Sequence, residues 1–264
     1  VWCKATDHMR EQIEQVRALE AKGLTYTIED GVYFDTAKFP DYGKMARLDV
    51  EGQQAGARVE VVAGTRNPTD FALWKFSPQG QKRQLEWDSP WGSGRPGWHI
   101  ECSAMAMKYL GERIDVHCGG VDHVKVHHTN EIAQAEGITG KSPWVRWWLH
   151  GEFLVLEAEK MAKSEGNFIT LNVVEEMGFD PLSYRYFLLN AHYRKQLTFT
   201  WEALEGAAKG YQRLRNAVVE LKAQGAPGAP SARHMNAFVE AVEDDLNMPK
   251  AVAALWGALR SGQL

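Results

Sequence analysis

The spacing of apolar side chains along the first third of the chain predicts one helix, one hairpin and one further strand. Between residues 7 and 22 apolar positions recur every three or four residues, and Gly23 follows where a helix C-terminal cap is expected. Residues 26–35 alternate around an Asp-Gly pair, which predicts a β-hairpin, and residues 71–75 form a short apolar run typical of a strand. The remainder of residues 24–96 is rich in turn residues. We therefore expect irregular α+β structure there, with one more short strand at 58–62.

Helical and strand patterns alternate in the middle of the chain, and helical patterns dominate after it. The stretch 98–111 reads as a strand or turn that continues as a helix, 113–120 as a strand, 130–137 as a helix closed by Gly137, and 144–157 as a buried strand. This alternation predicts an α/β fold with a parallel sheet covered by helices. Further helices are predicted at 173–177, 181–192, 201–223 and 233–244 and after Pro249, with a linker at 223–232. We expect three regions, 1–96, 97–172 and 173–264.

Composition narrows the class of protein. The 264 residues carry a formal net charge of -4, so contact with nucleic acid would require a local basic patch. The three cysteines show no CxxC spacing, which argues against a disulfide framework and for a reducing, cytoplasmic location. No apolar run is long enough to predict a membrane span or a signal peptide, so no membrane partner is expected.

A histidine and a carboxylate lie one helical turn apart in the pattern that predicts a metal site. His127 and Glu131 are four residues apart on the predicted helix, and Cys102 offers a soft third ligand. Zinc accepts sulfur, nitrogen and oxygen in a tetrahedral set. The alternative is that Cys102 is a small buried apolar residue and that His127 and Glu131 form a surface pair. The candidates for a fourth ligand are His117, Cys118, His123, His128 and a segment outside this chain.

Two further motifs have the residue types that bind nucleotides and amino acids. The stretch EKMAKSEGN places Lys160 and Lys163 on a predicted loop, where two ammonium groups can neutralise charge developing on a polyphosphate. A solvated charged turn is the alternative, since the stretch is not a glycine-rich P-loop. Asp122 follows two glycines at the end of a predicted strand, where it can accept hydrogen bonds from an amine or a ribose. An ordinary turn aspartate would fit the same pattern.

Together these stretches resemble the cysteinyl-tRNA synthetase family. The matching segments are GRPGWHIECSAM, GGVDHVKVHHTNEIAQAE, KMAKSEGNF and DPLSYRYFLLNAHYRKQLTF, in that order, with further similarity in VYFDTAKFPDYGKM, NPTDFALWK and DDLNMPKAVAAL. The resemblance implies a class I aminoacyl-tRNA synthetase with a Rossmann-like catalytic core, an inserted connective region and a following α-helical bundle domain that contacts tRNA.

The resemblance also implies roles for single residues. Cys102, His127 and Glu131 correspond to three zinc ligands, and Trp98 to the residue that closes over the cysteine substrate. Lys160 and Lys163 correspond to the ATP-binding lysines, with Asp122 in the substrate and nucleotide pocket. His99 and Glu101 are expected to serve the turn that leads into the helix.

The chain departs from the family pattern in several places. No HIGH tetrad and no first zinc-ligand cysteine occur in residues 1–97, so we expect the chain to begin inside the catalytic domain and the fourth ligand to come from a preceding segment. The helical domain is likewise expected to be incomplete, without an anticodon-binding end. Ala162 replaces a serine of the lysine motif. His123 and Lys125 stand where the family usually has leucine and part of an aromatic-proline pair.

The function implied is activation of L-cysteine with ATP and Mg²⁺ to cysteinyl-adenylate, followed by transfer to tRNA(Cys), by a protein expected to be monomeric. One alternative is a cysteine ligase that acts on an aminosugar amine, as in mycothiol synthesis. Another is a truncated, non-catalytic binding module. The tRNA acceptor is favoured by cationic residues that could meet phosphates in the helical region, namely Arg185, Arg194, Lys195, Arg213 and Arg215.

Overall fold

In the computed structural model of the protein, the first helix lies where the apolar periodicity predicts it. The structure describes residues 1–48, 62–78, 80, 83–156, 169–225 and 231–261. A short 3-10 helix, Ala5–His8, leads into α1, Met9–Ala21. Gly23 follows with φ +71°, a left-handed conformation that glycine adopts without steric cost. The chain divides into two compact units, Val1–His150 and Gly151–Leu264.

A four-stranded sheet forms the first half of unit 1. Its strands are β1, Thr25–Ile28; β2, Gly31–Phe34; β3, Phe71–Phe76; and β4, Gly94–Pro96. They are joined in the order β1-β2-β3-β4, and each neighbouring pair is antiparallel. Gly31 is required at the predicted hairpin, because a Cβ atom there would lie 2.2 Å from the carbonyl oxygen of Trp74. The antiparallel pairing of β1 with β2 on either side of this turn confirms the predicted hairpin.

The core of unit 1 forms where α1 packs on this sheet and on the helix that follows it. That helix, α2, spans Trp98–Leu110 and begins directly after β4. The buried apolar cluster joins all of these elements through Val16, Leu19, Val32, Phe34, Phe71, Leu73, Trp74, Ile100 and Ala133. Burial of side chains of this size supplies about 1.5–3 kcal/mol each in transfer free energy, so this cluster fixes the position of the α2 backbone.

The second half of unit 1 contains two strands and one helix. β5, Ile114–Gly120, and β6, Val145–Gly151, form a two-stranded sheet, and α3, His127–Thr139, lies between them in sequence. A 3-10 turn, Val121–His123, connects β5 to α3. The buried cluster here contains Ile114, Ala135, Trp144 and Val145.

Two predictions in this region are wrong in their boundaries. Residue 98 is already helical, because the expected strand is β4, which ends at Pro96. Helix α3 extends beyond both predicted ends: Gly137 lies inside it, and Gly140, with φ +68°, is its C-cap. At Gly137 a Cβ atom would lie 3.0 Å from Leu24 Cδ1, so this glycine allows close packing and does not end the helix.

Unit 2 is mainly helical, with one small parallel sheet. β7, Leu154–Leu156, pairs in parallel with β8, Leu197–Phe199, a strand that the helical pattern did not predict. The helices are α4, Leu171–Glu176; α5, Pro181–Leu189; α6, Trp201–Ala223; α7, Ala232–Glu243; and α8, Met248–Ser261. Among the described residues no helix has the length and apolar character that crossing a membrane requires.

The mixed α/β composition predicted from the sequence is confirmed, with a parallel strand pair and a high helical content. The expected division into 1–96, 97–172 and 173–264 remains a prediction. The predicted strand at 58–62 falls almost wholly outside the described residues.

Candidate metal and substrate site

Helices α2 and α3 bring the three predicted metal ligands together. Cys102 lies in the second turn of α2, and His127 and Glu131 lie one turn apart at the start of α3. Their ligand atoms, a thiol sulfur, an imidazole nitrogen and a carboxylate oxygen, all lie within 4.8 Å of one another. Three ligand atoms at this separation can converge on a single ion with small side-chain adjustments.

Glu131 is the residue that most requires a cation. Its side chain is 0 % exposed, and neither carboxylate oxygen has a hydrogen-bond partner among the described residues. Oε1 lies 3.8 Å from His127 Nε2, and Oε2 lies 3.2 Å from His117 Nε2 in a contact not aligned as a hydrogen bond. Burying a carboxylate without partners costs several kcal/mol. A divalent ion would remove that cost, so the residues present fit a metal.

The environment of Cys102 is consistent with the same requirement. Burial raises the pKa of its thiol to about 12, and the carboxylates of Glu131 and Glu101 act in the same direction. A neighbouring cation reverses this effect, because a metal-bound thiol is held as the thiolate.

His99 orients the imidazole of His127. The Nδ1 atoms of the two buried rings lie 2.9 Å apart and share a hydrogen bond, which leaves Nε2 of His127 toward Glu131. Burial, and then the neighbouring His127, lowers the pKa of His99 to about 3. A neutral His99 can accept the Nδ1 proton of His127 and fix its tautomer, as outer partners of metal-binding histidines do. His99 was expected to serve the turn before α2; its ring instead faces the site.

A second set of ligand atoms lies on the other side of Glu131. His117, His128 and Glu131 also place one ligand atom each within 4.8 Å of the others. Nδ1 of His128 lies 2.8 Å from His150 Nε2, an arrangement that parallels the His99–His127 pair. Of the four candidates for a fourth ligand in this chain, His117 and His128 place Nε2 at 3.2 and 3.9 Å from Oε2 of Glu131. Cys118 is exposed, and His123 belongs to neither group of ligand atoms among the described residues.

Two aromatic side chains from the residues before α2 contact the helices that form this site. The Tyr42 hydroxyl donates to Asn130 Oδ1 at 2.7 Å, next to Glu131 on α3. The ring of Phe71 on β3 packs edge-on against His99, with centroids 5.6 Å apart. Tyr42 and Phe71 thus help to position the side chains of Asn130 and His99.

Trp98 and Asp122 lie at the rim of the ligand group. The indole is 57 % exposed, and its ring centroid lies 4.5 Å from that of His127. Asp122 follows β5 and is exposed; a Cβ atom at Gly120 would lie 2.3 Å from its Oδ1, so the carboxylate depends on this glycine for its position. An aromatic face and a carboxylate beside a metal-binding group can bind a small zwitterion that carries a soft donor atom.

Several predicted site residues cannot be placed. Lys160 and Lys163 lie outside the described residues, as does Ala162. His150, which contacts the site from the end of β6, was not predicted as a site residue. The only signal for it was an imidazole at the end of a buried strand, a weak pattern on its own.

Comparison with known proteins relates this chain to tRNA synthetases. Residues 1–209 match the family described as "tRNA synthetases class I (C) catalytic domain". The chain is 51% identical over 262 residues to "Cysteine--tRNA ligase 1" of Burkholderia lata, covering 99% of this chain and 55% of that protein. It is 49% identical over 276 residues to "Cysteine--tRNA ligase" of Treponema denticola, covering 96% of this chain and 56% of that protein. The chain therefore spans about half the length of these curated relatives.

Solved structures show the same fold at low sequence identity. Methionyl-tRNA synthetase of Mycobacterium tuberculosis, in complex with methionyl-adenylate, aligns with a TM-score of 0.60 at 14% identity, covering 98% of this chain and 64% of that one. A putative arginyl tRNA synthetase of Campylobacter jejuni aligns with a TM-score of 0.52 at 15% identity, covering 98% and 55%.

Proposed function

Because the chain belongs to the family of class I (C) tRNA synthetase catalytic domains, we propose that it contributes the amino-acid site and part of the nucleotide site of a cysteine--tRNA ligase. The full-length protein activates L-cysteine with ATP and Mg²⁺ to cysteinyl-adenylate and transfers the cysteinyl group to tRNA(Cys). The observation that carries this proposal is the group formed by a half-buried thiol, a buried imidazole and a buried carboxylate beside the exposed indole of Trp98.

One zinc ion is proposed at this group, held by Cys102, His127 and Glu131, with a further ligand from outside the described residues. The metal, when bound, supplies a soft Lewis-acid position that takes a thiolate in preference to a hydroxyl. Serine and alanine therefore lose a complete ligand interaction at this site, so that discrimination does not depend on one methylene contact. His99 keeps Nε2 of His127 available to the metal.

Trp98 and Asp122 are proposed to hold the remainder of the substrate. The indole covers the amino acid and excludes water from the thiol, and the Asp122 carboxylate accepts hydrogen bonds from the substrate ammonium group or a ribose hydroxyl. Lys160 and Lys163 are proposed to bind the ATP phosphates and neutralise charge as the substrate carboxylate attacks the α-phosphorus and pyrophosphate departs.

Exposed cations of unit 2 are proposed to meet tRNA phosphates. Arg185, Lys195 and Arg213 are exposed on α5, the loop after it and α6. Two members of the predicted set already face carboxylates: Arg194 pairs with Asp245, and Arg215 Nη1 lies 3.7 Å from Asp180 Oδ2. We expect the first three to contribute more to tRNA affinity than the other two.

Cysteine-dependent exchange of pyrophosphate into ATP, measured with zinc content, tests this function. The full-length protein is expected to catalyse exchange with cysteine and not with serine. Cys102→Ala should lose both zinc and exchange, whereas the matched control Cys118→Ala, at an exposed cysteine, should keep both. Undiminished zinc in Cys102→Ala would exclude this ligand set.

The acceptor is tested separately on the same protein. Charging of tRNA(Cys) is expected, and ligation of activated cysteine to an aminosugar amine without tRNA charging would replace the proposal with the mycothiol-type alternative. Absence of exchange in the full-length wild-type protein would leave the non-catalytic binding module as the better account.

A further inference from the structure

We propose that His123 is a specificity-determining positioning residue: its ring fixes the indole of Trp98 and thereby sets the size of the amino-acid pocket. This inference rests on the proposed function, since it assumes that cysteine binds between Trp98 and the metal-binding group. It assigns a role to a histidine that stands where the resembled family usually has leucine.

The backbone of Trp98 is fixed, whereas its side chain depends on neighbouring rings. Gly97 donates its backbone N–H to Leu73 at 2.9 Å, and a Cβ atom at Gly97 would lie 1.9 Å from the Ala72 carbonyl oxygen. The indole nevertheless remains 57 % exposed. Its ring neighbours are imidazoles, with centroid distances of 4.5 Å to His127, 5.2 Å to His99 and 5.9 Å to His123.

Among these imidazoles, His123 differs in origin and in exposure. His99 and His127 are buried on the two ligand-bearing helices, whereas His123 comes from the 3-10 turn after β5 and is partly exposed. Its ring meets the indole edge to face, at an interplanar angle of 74°. This geometry is a favoured one for aromatic pairs. His123 therefore contacts Trp98 from a segment separate from the two helices that carry Cys102, His127 and Glu131.

The ring of His123 is itself held in place by the two histidines at the start of α3. It lies 5.1 Å from the ring of His127 and 5.2 Å from that of His128, between centroids. Gly119 makes room for this packing, since a Cβ atom there would lie 2.9 Å from His123 Nδ1 and 2.4 Å from His128 Cε1. His123 thus packs both against the indole and against the two histidines at the start of α3.

A fixed indole is needed because a metal selects for a thiol but not for its size. Homocysteine offers the same thiolate as cysteine with one more methylene, so a metal contact alone does not reject it. Rejection of homocysteine requires a pocket whose side chains cannot move aside. One methylene in such a pocket is worth roughly 10- to 200-fold in discrimination. By restraining Trp98, His123 keeps the pocket at cysteine size.

Three variants of the full-length protein test this role by pyrophosphate exchange with cysteine and with homocysteine. His123→Ala should raise KM for cysteine by roughly 2- to 13-fold, the value of an aromatic pair, and should lower the ratio of kcat/KM for cysteine to that for homocysteine. His123→Phe, which keeps a ring, should restore both. Lys125→Ala, an exposed neighbour on the same segment, is the matched control and should behave as wild type. Zinc content should be unchanged in all three.

A double-mutant cycle separates positioning from a general structural effect. If His123 acts through Trp98, the effect of His123→Ala on selectivity should disappear in a Trp98→Ala background. Equal effects of His123→Ala in both backgrounds would overturn the proposal, as would an unchanged selectivity ratio in His123→Ala.

A measurement that needs no activity distinguishes this inference from the proposed function. In protein labelled with 5-fluorotryptophan, the Trp98 resonance, assigned from Trp98→Phe, should shift or broaden in His123→Ala and not in Lys125→Ala. An unchanged resonance would overturn the positioning role whatever the enzyme does. Loss of exchange in the wild-type protein would instead refute the proposed function, and with it the claim of specificity.

Discussion

Two carboxylates in unit 1 show opposite ways of placing negative charge inside a protein. Asp70 accepts hydrogen bonds from the Tyr26 hydroxyl at 2.6 Å, from the backbone N–H groups of Thr36 and Asn67 at 2.9 Å each, and from both of their side chains. Glu131 is more deeply buried, at 0 % exposure, yet within the part of the chain that the structure describes neither of its oxygens has a hydrogen-bond partner.

The difference indicates what each carboxylate is for. The Asp70 group is complete without any ligand, and it ties the β1 strand to the loop before β3, so it stabilises the fold. The Glu131 carboxylate lacks hydrogen-bond donors among the described residues and is surrounded by imidazoles and a thiol. It is therefore stabilised when a cation binds to these side chains. An unsatisfied buried carboxylate is thus a better pointer to a ligand site here than the number of polar residues nearby.

The largest effect expected from this comparison is stabilisation of the wild-type protein by zinc. At a zinc concentration about 1,000-fold above Kd, linkage predicts a gain of about 4 kcal/mol. Glu131→Gln should abolish the zinc-dependent rise in melting temperature, measured by circular dichroism, and Cys118→Ala should retain it. A full rise in Glu131→Gln would place the metal on other residues.

The next largest effect is expected at Asp70. Asp70→Ala leaves the Tyr26 hydroxyl and two backbone N–H groups without their acceptor, which should lower the free energy of unfolding by roughly 3 kcal/mol. Urea denaturation of the metal-free protein measures this. Asp88→Ala, at an exposed aspartate of the same unit, is the control and should change little. A loss as small as that of the control would show that the Asp70 hydrogen bonds do not stabilise the fold.

Acid should weaken the Asp70 group selectively. Burial alone would raise the pKa of this carboxyl, but the hydrogen bonds from Tyr26, Thr36 and Asn67 outweigh it and lower the pKa below the ordinary value of 3.8. The unfolded state therefore binds the proton more readily than the folded state. The contribution of Asp70 to the free energy of unfolding is present above the unfolded-state pKa and is lost as the pH falls through the folded-state pKa, roughly from pH 5 to pH 2. In urea denaturation across this range, the free energy of unfolding should fall less steeply with decreasing pH in Asp70→Asn than in the wild type.

The elements that local pattern determines were predictable from the sequence. The resemblance to cysteinyl-tRNA synthetase is confirmed by the relatives, and α6, Trp201–Ala223, lies where its pattern predicts it. β8 was missed because it has three residues and depends on pairing with β7, far away in sequence. The start of α3 was missed because its polar residues, buried here by tertiary contacts, read as a loop.

The site was predictable only in part for the same reason. Cys102, His127 and Glu131 could be grouped because helical spacing and ligand chemistry act locally. The partner of His127 is His99, 28 residues away, and that of His128 is His150, 22 residues away. No spacing rule predicts which distant imidazoles will meet, since their positions are set by how α2, α3 and β6 pack.

In the metal-free protein, removal of the charge at Glu131 is expected to have a smaller effect on the free energy of unfolding, and one of opposite sign. Glu131→Gln replaces an unsatisfied carboxylate by a neutral amide of the same shape, and should raise the free energy of unfolding of the metal-free protein by about 1 kcal/mol. Urea denaturation in the presence of a chelator measures it. A clear destabilisation would mean that the carboxylate already has a favourable partner, and the contrast with Asp70 would fail.

The smallest effect is expected at a carboxylate of unit 2 that is well bonded but exposed. Asp245 accepts hydrogen bonds from the Arg194 guanidinium and, at 2.6 Å, from the Tyr193 hydroxyl, and these lower its pKa to about 2. Solvent screens such pairs, and Asn tolerates the left-handed backbone found here, φ +54°. Asp245→Asn should therefore lower the melting temperature far less than Asp70→Ala, and only slightly more than the control Glu240→Gln, at an exposed carboxylate of the same unit. An effect as large as that of Asp70→Ala would show that the number of donors, and not burial, determines what a satisfied carboxylate contributes.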